Sequence, residues 1–192
     1  MELDDSKNYI VSGLERSGTS MLMQMLYNAG YPVAADKKRL PDKNNPKGYF
    51  ELEGGKIINK LIKNDFPFEK YKGKIIKITA YGMKYLPKGN YNIIYSERNI
   101  EEILDSMEKM AQITDKNRAD TKNVFLKLNE YIKQQLLDRN DCTVLFVNYN
   151  EILNNPEKHV KHVYEFLQKD EVDIQAMIDT VDKRLYRNRK LK

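Results

Sequence analysis

The sequence is poor in the residues that most metal and thiol chemistry uses. Its 192 residues contain one cysteine, Cys142, two histidines, His159 and His162, and no tryptophan. A lone cysteine cannot close an intramolecular disulfide or build a thiolate cluster. Cys142 opens the apolar run Thr143-Val-Leu-Phe-Val147 and reads as a core or strand-edge thiol. The two histidines sit three residues apart on one expected helix, with no further His or Cys to complete a metal site, so a half-buried surface role fits them better. No apolar stretch approaches the ~20 residues of a membrane span. The first five residues, Met-Glu-Leu-Asp-Asp, are acidic and carry no apolar segment, which argues against a signal peptide and for a cytoplasmic protein. Charge of one sign is also scarce: 33 Lys and Arg face 28 Asp and Glu, a net of +5. That balance is compatible with an anionic ligand and too small to argue for nucleic acid. The exception is the run Lys183 to Lys192, a solvated tail or a phosphate-binding segment.

What is present is organised around residues 9–26. Tyr9 to Ser12 reads as a short apolar strand, Gly13 to Thr19 as a tight loop, and Ser20 to Asn28 as an apolar helix. Gly13 and Gly18 have the Walker A spacing and Ser20 takes its Ser/Thr slot, but Thr19 stands in the Lys slot. Such a loop turns backbone N–H groups inward at a helix start and holds an anion through them and the helix dipole. Met21, Met23 and Met25 are core filling.

The rest alternates strands and helices. Tyr31 to Ala35 is an expected short strand, and residues 36–48, with two prolines and a glycine, form a long polar loop of the kind that is usually functional. A helix over 52–64 carries Leu52, Ile57, Ile58, Leu61 and Ile62 as its apolar stripe. Residues 74–79 and 91–95 are buried strands, with a short helix or turn over 80–86 between them. Amphipathic helices follow at 100–111 and about 118–138, then a strand at 143–148, a helical turn at 150–153, a helix from Pro156 to about 168, and a last one over 171–181. This order predicts a single α/β domain, 1–192, with three α/β/α layers around a parallel sheet of four to five strands, as in P-loop nucleotide hydrolases.

In a parallel sheet, ligands bind beyond the carboxyl ends of the strands. The 13–20 loop, Lys77-Ile-Thr79, Ser96-Glu-Arg98 and Asn148-Tyr149 all fall there. Arg98 suits two roles: an ion pair with Glu97 or Glu101, or a phosphate ligand together with Ser106.

Together these segments resemble the sulfotransferase family. Gly13-Leu-Glu-Arg-Ser-Gly-Thr-Ser20 is similar to its phosphosulfate-binding loop, and Asn45-Pro-Lys-Gly-Tyr-Phe-Glu51 to a segment downstream of that loop in bacterial-type members. Arg98 with Ser106 eight residues later is similar to the family's 3′-phosphate pair. Asn148 to Pro156, with Phe166-Leu167, resembles its Tyr-Glu-Asp-Leu…Pro…Phe-Leu segment. The likeness runs from about residue 9 to 168 with the motifs in the family's order.

The resemblance implies transfer of a sulfuryl group from 3′-phosphoadenosine 5′-phosphosulfate to a hydroxyl or amine of a small-molecule or glycan acceptor, without metal. It places Arg16, Ser17, Gly18, Thr19 and Ser20 at the phosphosulfate, Arg98 and Ser106 at the 3′-phosphate, and Tyr149 at the adenine. Arg16 is the first candidate for the cation at the leaving oxygen. Lys77 is the second, although the family's Lys-Asp-Pro reads Lys77-Ile-Thr79 here. With no histidine between the loop and Arg98, Glu51 is the candidate base; the other role open to it is a helix N-terminal carboxylate. The acceptor pocket is expected from the 36–50 loop, the 80–86 segment with Tyr81 and Met83, and the 111–120 connection. A P-loop kinase and a catalytically inactive nucleotide-binding module on the same fold remain alternatives. Thr19 in the Lys slot counts against the kinase, as does the lack of a strand ending in Asp.

Overall fold

The computed structural model describes residues 3–36, 38–168 and 171–183. Of the basic run beyond Asp182, only Lys183 lies within them. Four parallel strands, β1 (Asn8–Gly13), β2 (Ile75–Lys77), β3 (Tyr91–Glu97) and β4 (Cys142–Asn148), form one sheet in the order β2-β1-β3-β4. Side chains alternate across a strand, so paired residues share a face. Tyr9 pairs with Ile75, and Val11 with Ile94; Ile10 pairs with both Ile76 and Ile93. Tyr9, Val11, Ile75 and Ile94 build one core, whereas Ile10, Ile76, Ile93 and Tyr95 build the other.

Helices cover both faces, as the parallel sheet requires. The Tyr9/Val11 face packs against α1 (Thr19–Asn28), α6 (Tyr149–Asn154), α7 (Pro156–Leu167) and α8 (Ile174–Thr180). The Ile10 face packs against α2 (Ile58–Ile62), α3 (Ala80–Met83), α4 (Ile100–Ala111) and α5 (Arg118–Leu137). The three-layer α/β/α, P-loop-like fold read from the sequence is therefore the fold observed, with four strands.

Three local expectations need correction. The segment Tyr31–Ala35 makes one bridge, Val33 to Ile75, and no strand. Pro32 has no N–H to donate, so it offers only its carbonyl, to Ile75 N at 2.8 Å. The expected helix over 52–64 is broken into a 3₁₀ turn, Glu53–Gly55, and the short α2. Glu53, Gly54 and Gly55 all take positive φ, which a right-handed helix cannot carry through. Leu52, Ile57 and Leu61 still face the core, but Ile62 is half exposed. Finally, β3 extends to Glu97, whose carboxylate accepts from Lys133 Nζ at 2.7 Å.

Consecutive strands β1 and β2 lie side by side, and the chain then returns to place β3 on the other side of β1. The connections leave in opposite directions there, opening a crevice at the carboxyl ends of β1 and β3. The 13–19 loop and the Ser96–Arg98 segment flank that crevice.

Candidate active site

Two glycines shape the loop after β1. A β-carbon on Gly13 would lie 2.5 Å from both Ser17 Oγ and Ser96 O, and one on Gly18 would lie 2.2 Å from Tyr149 Cδ2. Gly18 is also the residue before α1, in the left-handed region at φ 102, with no side-chain cap on the helix. The first N–H groups of α1 thus have neither an intrahelical partner nor a cap, which makes this helix start suited to an anion. Across the crevice, Ser96 Oγ donates to Ser17 O at 2.8 Å and Arg98 Nη1 donates to Arg16 O at 3.0 Å. The second bond holds Arg16, a non-glycine residue at φ 68, in its left-handed conformation.

Side chains then divide into two groups around a cavity of about 300 Å³. In the first, Arg16 Nε donates to Ser106 Oγ at 2.9 Å and its Nη1 approaches Met110 Sδ at 3.6 Å. Burial lowers the Arg16 pKa; Tyr49 opposes that shift, while the neighbouring cations Arg98 and Arg39 reinforce it. Arg98 is buried; its Nε donates to Glu102 Oε2 at 3.0 Å and its guanidinium carbon lies 4.6 Å from the Tyr149 ring centre. Arg98 therefore has an ion-pair partner, Glu102 rather than Glu97 or Glu101, and still lines the cavity. Local capping sets these positions: Asn99 caps α4, which carries Ser106, and Asn148 caps α6, which begins at Tyr149.

In the second group, Lys77 leaves the end of β2 and spans to the anion loop. Its Nζ donates to Ser20 Oγ at 3.1 Å, Tyr49 O at 2.9 Å and Glu51 Oε1 at 3.2 Å. Burial pulls the Lys77 pKa below its ordinary value, against the pull of Glu51 in the other direction. The second partner of Glu51 is Arg39, whose Nη1 donates to both carboxylate oxygens at 3.0 and 3.2 Å. The Arg39 guanidinium also stacks 3.5 Å over the Tyr49 ring, and Tyr49 OH donates to Asp42.

The cavity thus gathers Arg16, Gly18, Thr19, Ser20, Glu51, Lys77, Arg98, Ser106 and Tyr149. Ser17 is not on the wall: its side chain is fully buried, and its Oγ has no hydrogen-bond partner among the described residues. Tyr81 and Met83 are not on it either. Tyr81 faces solvent beside Tyr85, and Met83 belongs to the core. The 36–50 loop does line the cavity, whereas the 80–86 and 111–120 segments do not. The sequence reading missed Arg39. The loop is an expected functional segment, but nothing in its series of cations distinguishes the one that faces Glu51. It also missed Lys109 and Asp182, which line the cavity from α4 and from beyond α8. His159 lies 3.8 Å from Glu151 on the surface of α7, and burial lowers its pKa. No group of three or more His, Cys, Asp or Glu side chains suited to a metal occurs among the described residues.

A glycine-shaped loop at the switch point of a parallel sheet, with cations on β2, after β3 and in the loop itself, defines a P-loop-type α/β protein whose cavity suits a polyanion. The chain belongs to the sulfotransferase family, whose sulfotransferase domain matches residues 6–191, and it is a sulfotransferase enzyme. Several solved structures share its fold. The sulfotransferase domain of a Synechococcus olefin synthase superposes with a TM-score of 0.59 at 15% identity, over 94% of this chain and 79% of that one. Sulfotransferase STF1 of Mycobacterium tuberculosis gives 0.56 at 15%, over 95% and 76%. Mouse sulfotransferase SULT7A1, crystallised with PAP, gives 0.55 at 18%, over 95% and 65%. No curated protein matches the chain. Among the described residues no helix is long and apolar enough to cross a membrane.

Proposed function

We propose that the chain transfers a sulfuryl group from 3′-phosphoadenosine 5′-phosphosulfate to a hydroxyl or amine of a small-molecule or glycan acceptor, without metal. The observation that carries this reading is the bond from Lys77 Nζ to Ser20 Oγ, which brings a buried cation from β2 to the loop that lacks a Walker lysine. Donor and cavity match in two respects. The uncapped start of α1 with Ser20 and Lys77 suits a phosphosulfate. Arg16, Arg98 and Ser106 make a second anion subsite, as a separate 3′-phosphate demands. Mouse SULT7A1, which shares the fold, was crystallised with the corresponding product, PAP.

When bound, the donor supplies the sulfuryl group and a phosphate leaving group; the chain supplies position and charge. Backbone N–H groups of residues 18–20 hold the phosphosulfate at the start of α1. Lys77, the cation fixed against the loop, stabilises the charge that grows on the leaving oxygen, while Arg16 stays with Ser106 at the second subsite. Glu51, held by Lys77 and Arg39 on the cavity wall, takes the acceptor's proton. Tyr149 packs its ring on Gly18 and Arg98, so its part in adenine binding is to keep the loop and the Arg98 wall together. A kinase reading finds less support: Thr19 occupies the lysine slot, and the one acidic residue ending β3, Glu97, is paired with Lys133 away from the cavity.

The test is release of adenosine 3′,5′-bisphosphate from the donor in the presence of pooled hydroxyl and amine acceptors, with a chelator throughout. Acceptor-dependent release unaffected by the chelator is expected. Bisphosphate binding without any release identifies the inactive module instead.

A further inference from the structure

Residues between Arg39 and Gly55 form one wall of the cavity, and its chemistry bears on the acceptor. Asn44 and Asn45 are half-buried on that wall, and their side-chain amides make no hydrogen bond with any described residue. Each amide offers two N–H donors and a carbonyl acceptor. The charged groups beside them come as pairs of opposite sign, Arg39 with Glu51 at 3.0 Å and Lys47 with Asp182 at 3.9 Å. Each pair adds donors and acceptors together, and Glu51 also accepts from Lys77. The aromatic ring of this wall, Tyr49, is covered by Arg39, so it presents no bare apolar face.

From this we infer that the acceptor is a polyhydroxylated molecule, a saccharide, rather than a phenol or steroid. The inference rests on the sulfotransferase reading above. A hydroxyl both donates and accepts, and a wall mixing free amides with ion pairs satisfies a row of hydroxyls without leaving polar groups unpaired. An apolar acceptor would strip water from the same amides and ion pairs and return no hydrogen bonds, which is costly. Pocket chemistry of this kind discriminates strongly, because a site built to hydrogen-bond hydroxyls rejects ligands that lack them.

The experiment uses the full chain and has two arms. In the first, calorimetry measures the affinity of adenosine 3′,5′-bisphosphate for the wild type and for a variant carrying both Asn44→Leu and Asn45→Leu. In the second, donor-dependent sulfation is followed with maltotriose, trehalose and a methyl glycoside of N-acetylglucosamine, against 2-naphthol and a 3-hydroxysteroid. The expected result is a kcat/KM for at least one saccharide that is tenfold or more above that for naphthol or the steroid. The double variant should raise the saccharide KM about tenfold while the bisphosphate Kd stays within twofold. Preference for naphthol or the steroid, or no saccharide turnover by a chain that binds the bisphosphate, overturns the inference and leaves the donor reading standing. Equal weakening of bisphosphate and saccharide by the variant also overturns it. A wild-type chain that does not bind the bisphosphate removes the donor reading and this inference together.

Discussion

Replacing Gly18 by alanine puts a carbon where the Tyr149 ring already stands. The new β-carbon would lie 2.2 Å from Tyr149 Cδ2 and 2.9 Å from Cε2, against about 3.5–4.0 Å for carbon atoms at their best separation. The ring is buried and also packs against the Arg98 guanidinium, so it has little room to retreat. Overpacking of this kind costs about 1–3 kcal/mol. Gly18 also has φ 102, and holding an L residue in the left-handed region adds about 1–2 kcal/mol. The sum, about 2–5 kcal/mol, is a large share of the ~5–15 kcal/mol that holds a domain together, and it lowers Tm by roughly 5–15 °C. Urea and thermal unfolding of the wild type, Gly18→Ala, Tyr149→Ala and the double variant measure it. With the ring removed only the backbone cost remains, so Gly18→Ala should cost about 1–2 kcal/mol in the Tyr149→Ala background. An equal cost in both backgrounds, or no cost in either, refutes the claim that Tyr149 braces the loop.

Other consequences concern the chemistry. Lys77→Met should lower turnover about 10²–10³-fold, the size of one lost transition-state partner, in the donor-driven assay. Because burial lowers the Lys77 pKa below 10.5, the folded state releases this proton before the unfolded chain does. Between the folded pKa and 10.5 the unfolded chain binds more protons, so the contribution of Lys77 to stability rises with pH through that window. The unfolding free energy of wild type relative to Lys77→Met should therefore rise as pH approaches 10.5; a flat or falling difference contradicts the desolvation argument. Glu51→Gln should leave bisphosphate affinity nearly intact and cut turnover about 10²–10⁴-fold, and unchanged turnover would remove Glu51 from proton transfer. Ser106→Ala should weaken adenosine 3′,5′-bisphosphate roughly 12–160-fold, the worth of one hydrogen bond to a charged group, and leave adenosine 5′-monophosphate unaffected in the same titration.

Much of the fold was legible because its signals are local. The buried strands are short apolar runs, α4 begins after Asn99 and α7 at Pro156, and the long helices carry their apolar residues at helical spacing. One failure was local: Gly54-Gly55 is a turn signal, and Glu53 joins it at positive φ, which splits the expected helix despite its apolar stripe. The site was legible at the level of which segments converge, since strand ends and a glycine loop fix that. Partners within it were not. Lys77, whose Lys-Ile-Thr context departs from the family pattern, contacts the loop directly, while Arg16 lies against Ser106. Ser17, inside the loop motif, turns away from the cavity altogether. Arg39 and Glu51 are twelve residues apart across an irregular loop, a separation that no periodicity encodes.

The central claim is that the loop and its two cation groups form a metal-free site for a donor with two separate anionic groups. Calorimetric titration of the full chain with adenosine 3′,5′-bisphosphate, with and without Mg²⁺, beside a titration with ATP and Mg²⁺, tests it most directly. Tight bisphosphate binding that Mg²⁺ does not change, with ATP–Mg²⁺ much weaker, is the predicted result. Mg²⁺-dependent binding of ATP without comparable affinity for the bisphosphate would contradict it.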